Sequence, residues 1–303
     1  RNENWSHIPD GFDWGIWLDT DDEFHADVNL HQIADETPNG ANQVWFPYSY
    51  YRDAYGNNTT LFWRERLIRL SVGRKWIRRL HEICVTDPST RKDEERAWVE
   101  HINRTDEPEK GERNFATLYK ILEEDPSESW AVLYLAHQHF GAHQWNEAAQ
   151  NYLKFVTLTK DIGERWQALI MASKAFRSAG KLKESLNCAV GAIREIPGWR
   201  DPYYEMSYTY QVMEDWGRAI QWYEDAEKRD VPSDKRLLSN PLDYDFNPCV
   251  TVHTSYAVMG NIDKASELLE KAISIRPDPE LIRVKKLYDR TLGRRAAITA
   301  GLN

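Results

Sequence analysis

The sequence predicts two parts of different class: a mixed α/β part over residues 1–113, then an all-α solenoid of helical repeats over residues 114–303. Three observations carry this. An apolar run, Trp14-Gly15-Ile16-Trp17-Leu18, stops at a cluster of acids, Asp19, Asp21, Asp22 and Glu23. Aromatic and β-branched runs separated by turn signals recur up to about residue 105. From Asn114 onward the periodicity becomes helical, and small residues return at a fixed spacing.

The elements follow in order. Residues 14–18 read as a buried strand, and its acidic end lies where open α/β sheets hold ligands. Carboxylates this close repel one another unless a cation is shared among them; an exposed acidic turn is the competing reading. Residues 27–33 form a short helix. The run QVWFPYSYY (43–51) is a strand, and Asp53-Ala54-Tyr55-Gly56-Asn57-Asn58 is a turn. Residues 61–71 and 75–85 are two strands joined at Val72-Gly73, 86–95 is a loop, and 97–102 is a further strand. Residues 114–124 form a helix between the two parts.

The repeat is explicit. Small residues stand at Ala148, Ser185, Ala219 and Ala265. Four places on come Tyr152, Ala189, Tyr223 and Leu269, and three further on Phe155, Ala192, Ala226 and Ala272. Twelve places before the first set stand Ala136, Ser173, Ser207 and His253; nine before it stand His139, Phe176, Tyr210 and Tyr256. This small–large–small spacing resembles the tetratricopeptide repeat, a pair of antiparallel helices per unit. Phe155 and His253 depart from it. The offsets are 37, 34 and 46 residues, so the last carries an insertion, placed in 230–246. Four units suffice for a stable stack, and 280–292 reads as a capping helix.

Composition bounds the function. With 41% hydrophobic and 29% charged residues the chain is globular, and no apolar run reaches the ~18 residues of a membrane span. Three scattered cysteines argue against a disulfide framework and for a reducing compartment, so the expected location is cytoplasmic. A net charge of −9 disfavours nucleic acid as a partner. The local exception is residues 64–79, where seven Arg and Lys face one acid; they suit an anionic substrate or form a solvated strand face.

Four motifs stand in sequence: Arg1-Asn2, Trp17-Leu18-Asp19-Thr20-Asp21-Asp22, Arg66-Leu67-Ile68-Arg69 followed by Trp76, and Arg79-Leu80-His81-Glu82. Their order resembles the family 2 glycosyltransferases of the GT-A fold, with Asp19-Thr20-Asp21 as the Asp-x-Asp motif. A repeat array directly after the domain adds to the resemblance. A complete GT-A domain begins with strand–helix–strand units that hold the nucleotide. This chain starts after them, at Arg1, so the resemblance implies a domain lacking its N-terminal nucleotide-binding part.

The resemblance also implies roles. Asp21 and His81 would ligate Mn²⁺ or Mg²⁺, which would neutralise the leaving diphosphate of a nucleotide sugar. Asp19 would lie beside the metal toward the sugar or ribose, and Arg1 and Asn2 would touch the donor. Glu82 would be the general base of an inverting transfer. His81 and Glu82 are adjacent, so a bulge or a strand end is required for both to face one site. Arg66 and Arg69 point to opposite strand faces, and Arg69 is preferred for the diphosphate. Asp22 is read as a solvated neighbour rather than a ligand. His101 is read as structural rather than metal-binding, and His137, His139 and His143 as surface or groove residues.

The leading expectation is therefore a metal-dependent glycosyltransferase whose repeats bind a protein or peptide acceptor or self-associate. The alternative is a non-catalytic repeat protein that works by interaction, with a degenerate or truncated transferase domain.

Overall fold

A computed structural model describes residues 5–102 and 108–299. The chain forms two compact units. The first comprises residues up to Thr117 together with Lys235–Asn240; the second comprises Leu118–Asp234 and the chain from Pro241 onward. Arg1 and Asn2 lie outside the described residues.

The first unit holds β1 (Trp14–Ile16), β2 (Asp22–Ala26), α1 (Leu30–Asp35), β3 (Gln43–Arg52), β4 (Asn58–Arg69), β5 (Gly73–Ile77), β6 (Ile83–Asp87), β7 (Arg91–Asp93) and β8 (Ala97–His101). The main sheet runs β1-β4-β3-β8-β2, with β7 also against β3. β3 runs antiparallel to β4 and parallel to β7 and β8, and β8 runs antiparallel to β2. Asn29 starts α1 by accepting a hydrogen bond from the His31 amide. Ile33 of α1 buries against Val44, Phe46, Leu67 and Ala97 of the sheet. A second cluster joins Trp17 and Ile68 to Trp76 and Cys84 of the small β5–β6 sheet, with the Trp17 and Trp76 rings 4.8 Å apart and edge-on.

Three expectations are corrected here. The 14–18 run is not a buried central strand. β1 is a three-residue edge strand, antiparallel to β4, and both Ile16 and Leu18 are exposed. The 75–85 run is not one strand: Arg78 and His81 adopt left-handed backbone (φ 74° and 55°), and the chain folds back into the β5–β6 hairpin. The 86–95 loop contains β7.

Lys235–Asn240, from the insertion between repeats, adds to the outer edge of β4. Leu61 and Ser239 exchange both backbone hydrogen bonds at 2.8 Å, and the Lys235 carbonyl accepts from the Trp63 amide. Lys235 stacks its ammonium over the Trp63 ring at 4.3 Å and pairs with Glu95.

The long helix α2 (Pro108–Glu124) leads into the second unit. Four antiparallel pairs follow: α3 (Ser129–Gly141) with α4 (Trp145–Leu158), α5 (Ile162–Ser178) with α6 (Leu182–Glu195), α7 (Asp201–Val212) with α8 (Trp216–Glu227), and α10 (Asn247–Val258) with α11 (Ile262–Ile275). A short α9 (Leu242–Asp245) precedes the last pair, and α12 (Pro279–Thr299) packs on α11. This is a tetratricopeptide-like helical fold. Among the described residues no helix is long and apolar enough to cross a membrane.

The sequence spacings become physical contacts. Ala148, Ser185, Ala219 and Ala265 are fully buried on the second helix of each pair, where any larger side chain would hold the helices apart. The twelve-residue offset is a hydrogen bond in two repeats: Ser173 Oγ donates to the Ser185 carbonyl at 2.9 Å, and Ser207 Oγ to the Ala219 carbonyl at 2.7 Å. His253, at the same place in the last repeat, instead meets the Tyr288 hydroxyl of α12 at 3.0 Å. The carbonyls of His139, Phe176, Tyr210 and Tyr256 each accept the amide five residues on, closing every first helix.

Each of these closures needs a left-handed residue five places before the small one: His143, Gly180, Glu214 and Gly260, with φ between 57° and 85°. Only two are glycine. A side chain in this region costs about 1–2 kcal/mol, and Glu214 is exposed with nothing to lose. Glu214→Gly is expected to stabilise the second unit by about 0.5–1 kcal/mol net of the chain entropy glycine adds. An unchanged or lower thermal midpoint would refute this.

Candidate functional site

The acidic cluster lies at the start of β2. Asp19 to Asp22 form a turn in which the Asp22 amide bonds the Asp19 carbonyl at 3.0 Å, and the Asp19 amide bonds Asp22 Oδ2 at 3.1 Å. The antiparallel pairing of β2 with β8 sets Asp22 directly opposite His101. Among the described residues, Asp21, Asp22 and His101 are the group whose ligand atoms all lie within 4.8 Å of one another.

The three have unequal freedom. The Asp22 side chain is fully buried and heavily engaged. Its Oδ1 accepts from the Tyr48 hydroxyl at 2.8 Å and faces His101 Nδ1 at 3.3 Å; its Oδ2 pairs with Arg66 Nη2 at 2.9 Å. Asp21 is 38% exposed, with Oδ2 3.8 Å from His101 Nε2. His101 stacks flat on Tyr50 at 4.7 Å. With its Nδ1 proton donated to Asp22, His101 presents the Nε2 lone pair beside the Asp21 carboxylate. This is how a second carboxylate orients a metal-binding histidine. Bonds of about 2.1 Å to each ligand atom span up to ~4.2 Å, so a cation fits between Asp21 and His101 without rearrangement.

Arg66 closes the floor of the cluster. Its guanidinium lies 3.9 Å from the Trp17 ring and 4.5 Å from the Tyr48 ring, with 1% of its side chain exposed. The β3–β4 register shifts between Val44 and Trp45, where Leu67 and Glu65 are their respective partners, so Arg66 is the extra residue of a bulge. The bulge explains why Glu65, Arg66 and Leu67 are all buried in succession, against strand alternation. Burial lowers the Arg66 pKa against the pull of Asp22, and burial with Asp22 raises the Tyr48 hydroxyl well above its ordinary value.

The remaining candidates lie elsewhere. His81 and Glu82 sit in the turn between β5 and β6, and the Glu82 carbonyl accepts from Arg64. His81 is not in the group with Asp21; His101 occupies that place. Asp19 contributes its backbone to the turn. Arg69 is spent on the carbonyls of Ala41 and Pro38 and on the Trp14 ring. Three further members of the basic run are committed within the fold: Arg64 to Glu65, Arg66 to Asp22 and Arg74 to the Leu70 carbonyl. The strand aromatics Phe46 and Tyr48 are buried rather than offered to a sugar.

His139 is buried rather than on the surface, between Gln144 and the Tyr119 hydroxyl. His137 meets the Tyr152 hydroxyl at 2.7 Å.

The second unit has a cavity of its own, of about 240 Å³, lined by α5, α7, α9 and α10. Only first helices of repeats and the short α9 contribute to it. Lys174, Arg177, Asp201, Glu205 and Asp243 are its charged groups, with Tyr204 and Tyr208 as aromatic walls. No sequence signal singled these out, because first-helix positions that face the groove carry no fixed residue type in the repeat.

No family model matches the chain, and no curated protein does. Solved structures that the fold resembles are repeat proteins. MamA is 21% identical, with 53% of this chain and 85% of that chain covered and a TM-score of 0.42. YrrB, described as a TPR protein with an unusual peptide-binding site, is 20% identical over 59% and 84%, with a TM-score of 0.44. A TPR protein of Thermus thermophilus is 19% identical over 61% and 91%, with a TM-score of 0.42.

The expectation of a glycosyltransferase is corrected by these findings. The three solved structures named above are repeat proteins, not transferases. In the first unit the helix between strands, α1, joins β2 to β3, which are antiparallel and separated by β8. Among the described residues of the first unit, no two parallel strands are joined by a helix.

Proposed function

We propose that the chain is a protein-interaction module whose second unit takes an extended segment of a partner protein against the first helices of its repeats. The observation that carries this is the shared cavity: charged and aromatic side chains of α5 and α7, Asp243 of α9, and Asn247 and Thr251 of α10 line one space across three successive repeats. Their second helices meanwhile spend their small residues on packing. Such arrays build concave binding surfaces from the small rotation between units. Selection of random 12-residue peptides on the full chain tests it. Bound peptides should shift the amide resonances of Tyr204 and Tyr208. Peptides that bind only outside the cavity would rule the reading out.

A second reading concerns the first unit and rests on the Asp22–His101 geometry. We propose that Asp21 and His101 hold a divalent cation, with Asp22 as the outer partner that orients the imidazole. A carboxylate–imidazole pair suits Mn²⁺ better than Mg²⁺, which prefers oxygen alone. Calorimetric titration of Mn²⁺ is expected to show binding that Asp21→Ala weakens at least tenfold and His81→Ala leaves unchanged. Equal affinity in the Asp21 variant would defeat it.

A further inference from the structure

The cavity of the second unit holds an unbalanced set of charges. Lys174 Nζ donates to Asp243 Oδ2 at 3.2 Å, and Arg177 Nη2 to Glu205 Oε2 at 2.9 Å. Each cation thereby has its own carboxylate. Asp243 is held further by Asn247, whose amide donates to Oδ1 at 2.6 Å. Asp201, at the start of α7, is the third carboxylate. Its Oδ1 accepts from the Tyr244 hydroxyl at 3.2 Å, while its Oδ2 is buried and accepts no hydrogen bond. A buried acceptor left unsatisfied is unfavourable, and with Asp201 ionised the lining carries two cations against three anions, a negative surplus. Arg177 Nε also lacks an acceptor, with its guanidinium lying over the Tyr208 ring at 5.4 Å. A ligand carboxylate at that nitrogen would meet the surplus negative charge. A ligand cation meets it favourably.

We propose, resting on the partner-binding reading of this groove, that the cavity is a specificity pocket for a basic side chain, lysine or arginine, of the bound segment, with Asp201 as its counter-ion. The ammonium or guanidinium would donate to Asp201 Oδ2, and its aliphatic stem would lie along Tyr204 and Tyr208. The acidic chain, at −9, favours the approach of such a segment.

Burial raises the Asp201 pKa to about 7, with Asp243 acting in the same direction and Lys174 and the Tyr244 hydroxyl opposing. A cation binds the ionised carboxylate, so affinity should rise with pH through neutrality. At pH 6 about a tenth of Asp201 would be ionised, and most of it at pH 8.

The test uses capped heptapeptides of glycine and serine with one central residue, titrated into the isotope-labelled full chain while the Tyr204 and Tyr208 amides are followed. Lysine and arginine probes are expected to bind at least fivefold more tightly than norleucine, and about tenfold more tightly at pH 8 than at pH 6. Glutamate should not bind. Asp201→Asn keeps the shape of the side chain and is expected to abolish both the preference and the pH dependence. Thermal unfolding of that variant at pH 6 no earlier than the parent's would show that the fold persists. A norleucine or glutamate probe that binds as well as lysine would overturn the proposal, as would a lysine preference that survives Asp201→Asn. If selected 12-residue peptides shift the cavity amides without carrying a basic residue, the pocket's specificity falls while the groove stands. If no peptide shifts them, both fall.

Discussion

Replacing Arg66 by methionine is expected to destabilise the first unit by about 3–5 kcal/mol, the loss typical when one partner of a buried ion pair is removed. The volume is nearly conserved, so packing between Trp17 and Tyr48 survives. What is lost is the 2.9 Å bond to Asp22, whose side chain has no solvent exposure. Asp22 would keep only neutral donors besides His101: the Tyr48 hydroxyl and the Asp19 amide. Arg66→Met with Asp22→Asn should recover much of the loss, because the stranded charge goes with it. The denaturant midpoint of the first unit measures both. A single variant within about 1 kcal/mol of the parent would show that Asp22 is stabilised by something other than Arg66. Because Asp22 also orients His101, the Arg66 variant should weaken Mn²⁺ binding as well.

The second large effect is acid sensitivity of the repeat unit. Burial lowers the pKa of His137 and of His253 from 6.5 to about 4. Between those values the unfolded chain takes up two protons that the folded one refuses, so folding loses stability as pH falls. Asp201 acts in the opposite sense: its pKa is raised from 3.8 to about 7, so in the same window the folded chain binds a proton that the unfolded one does not. The difference is one proton in favour of unfolding, a loss of about 1.4 kcal/mol per pH unit between pH 6.5 and 4. Asp201→Asn removes the opposing proton, and the slope should roughly double. His253→Gln should bring the parent's slope close to zero. Denaturant melts at half-unit pH steps give these slopes directly. A parent whose stability is flat from pH 6.5 to 4.5, with Asp201→Asn equally flat, would contradict the assignment.

The repeat half was legible because its constraints are local and recurrent. Ala148, Ser185, Ala219 and Ala265 announce close helix contact, and the residues twelve and nine places earlier are those that bond or close across the pair. The left-handed turn was legible only at Gly180 and Gly260, since His143 and Glu214 carry no such signal. The strand half was less legible. The partnership of Asp22 with His101 spans 79 residues and depends on β2 pairing with β8, which neither segment encodes by itself. His81 drew attention through the glutamate beside it, yet a turn with two left-handed residues takes it elsewhere. Strand alternation disfavours Arg66, and a one-residue bulge overrides the alternation. The resemblance to a transferase rested on motif order along the chain. Order does not determine which strands become neighbours, and here β1 pairs antiparallel with β4 and β2 with β8.

The docking of Lys235–Asn240 on β4 has a consequence for biogenesis. The first unit is discontinuous in sequence, since Leu118–Asp234 are translated before its last piece emerges. At ~5–20 residues per second the β4 edge around Leu61 and Trp63 waits on the order of ten seconds on the ribosome for its final partner. β1 covers only the far end of that edge. A nascent chain stalled near residue 117 would therefore expose a strand edge open to pairing with other chains. A gene fragment ending there would inherit the same liability, however well the remainder folds.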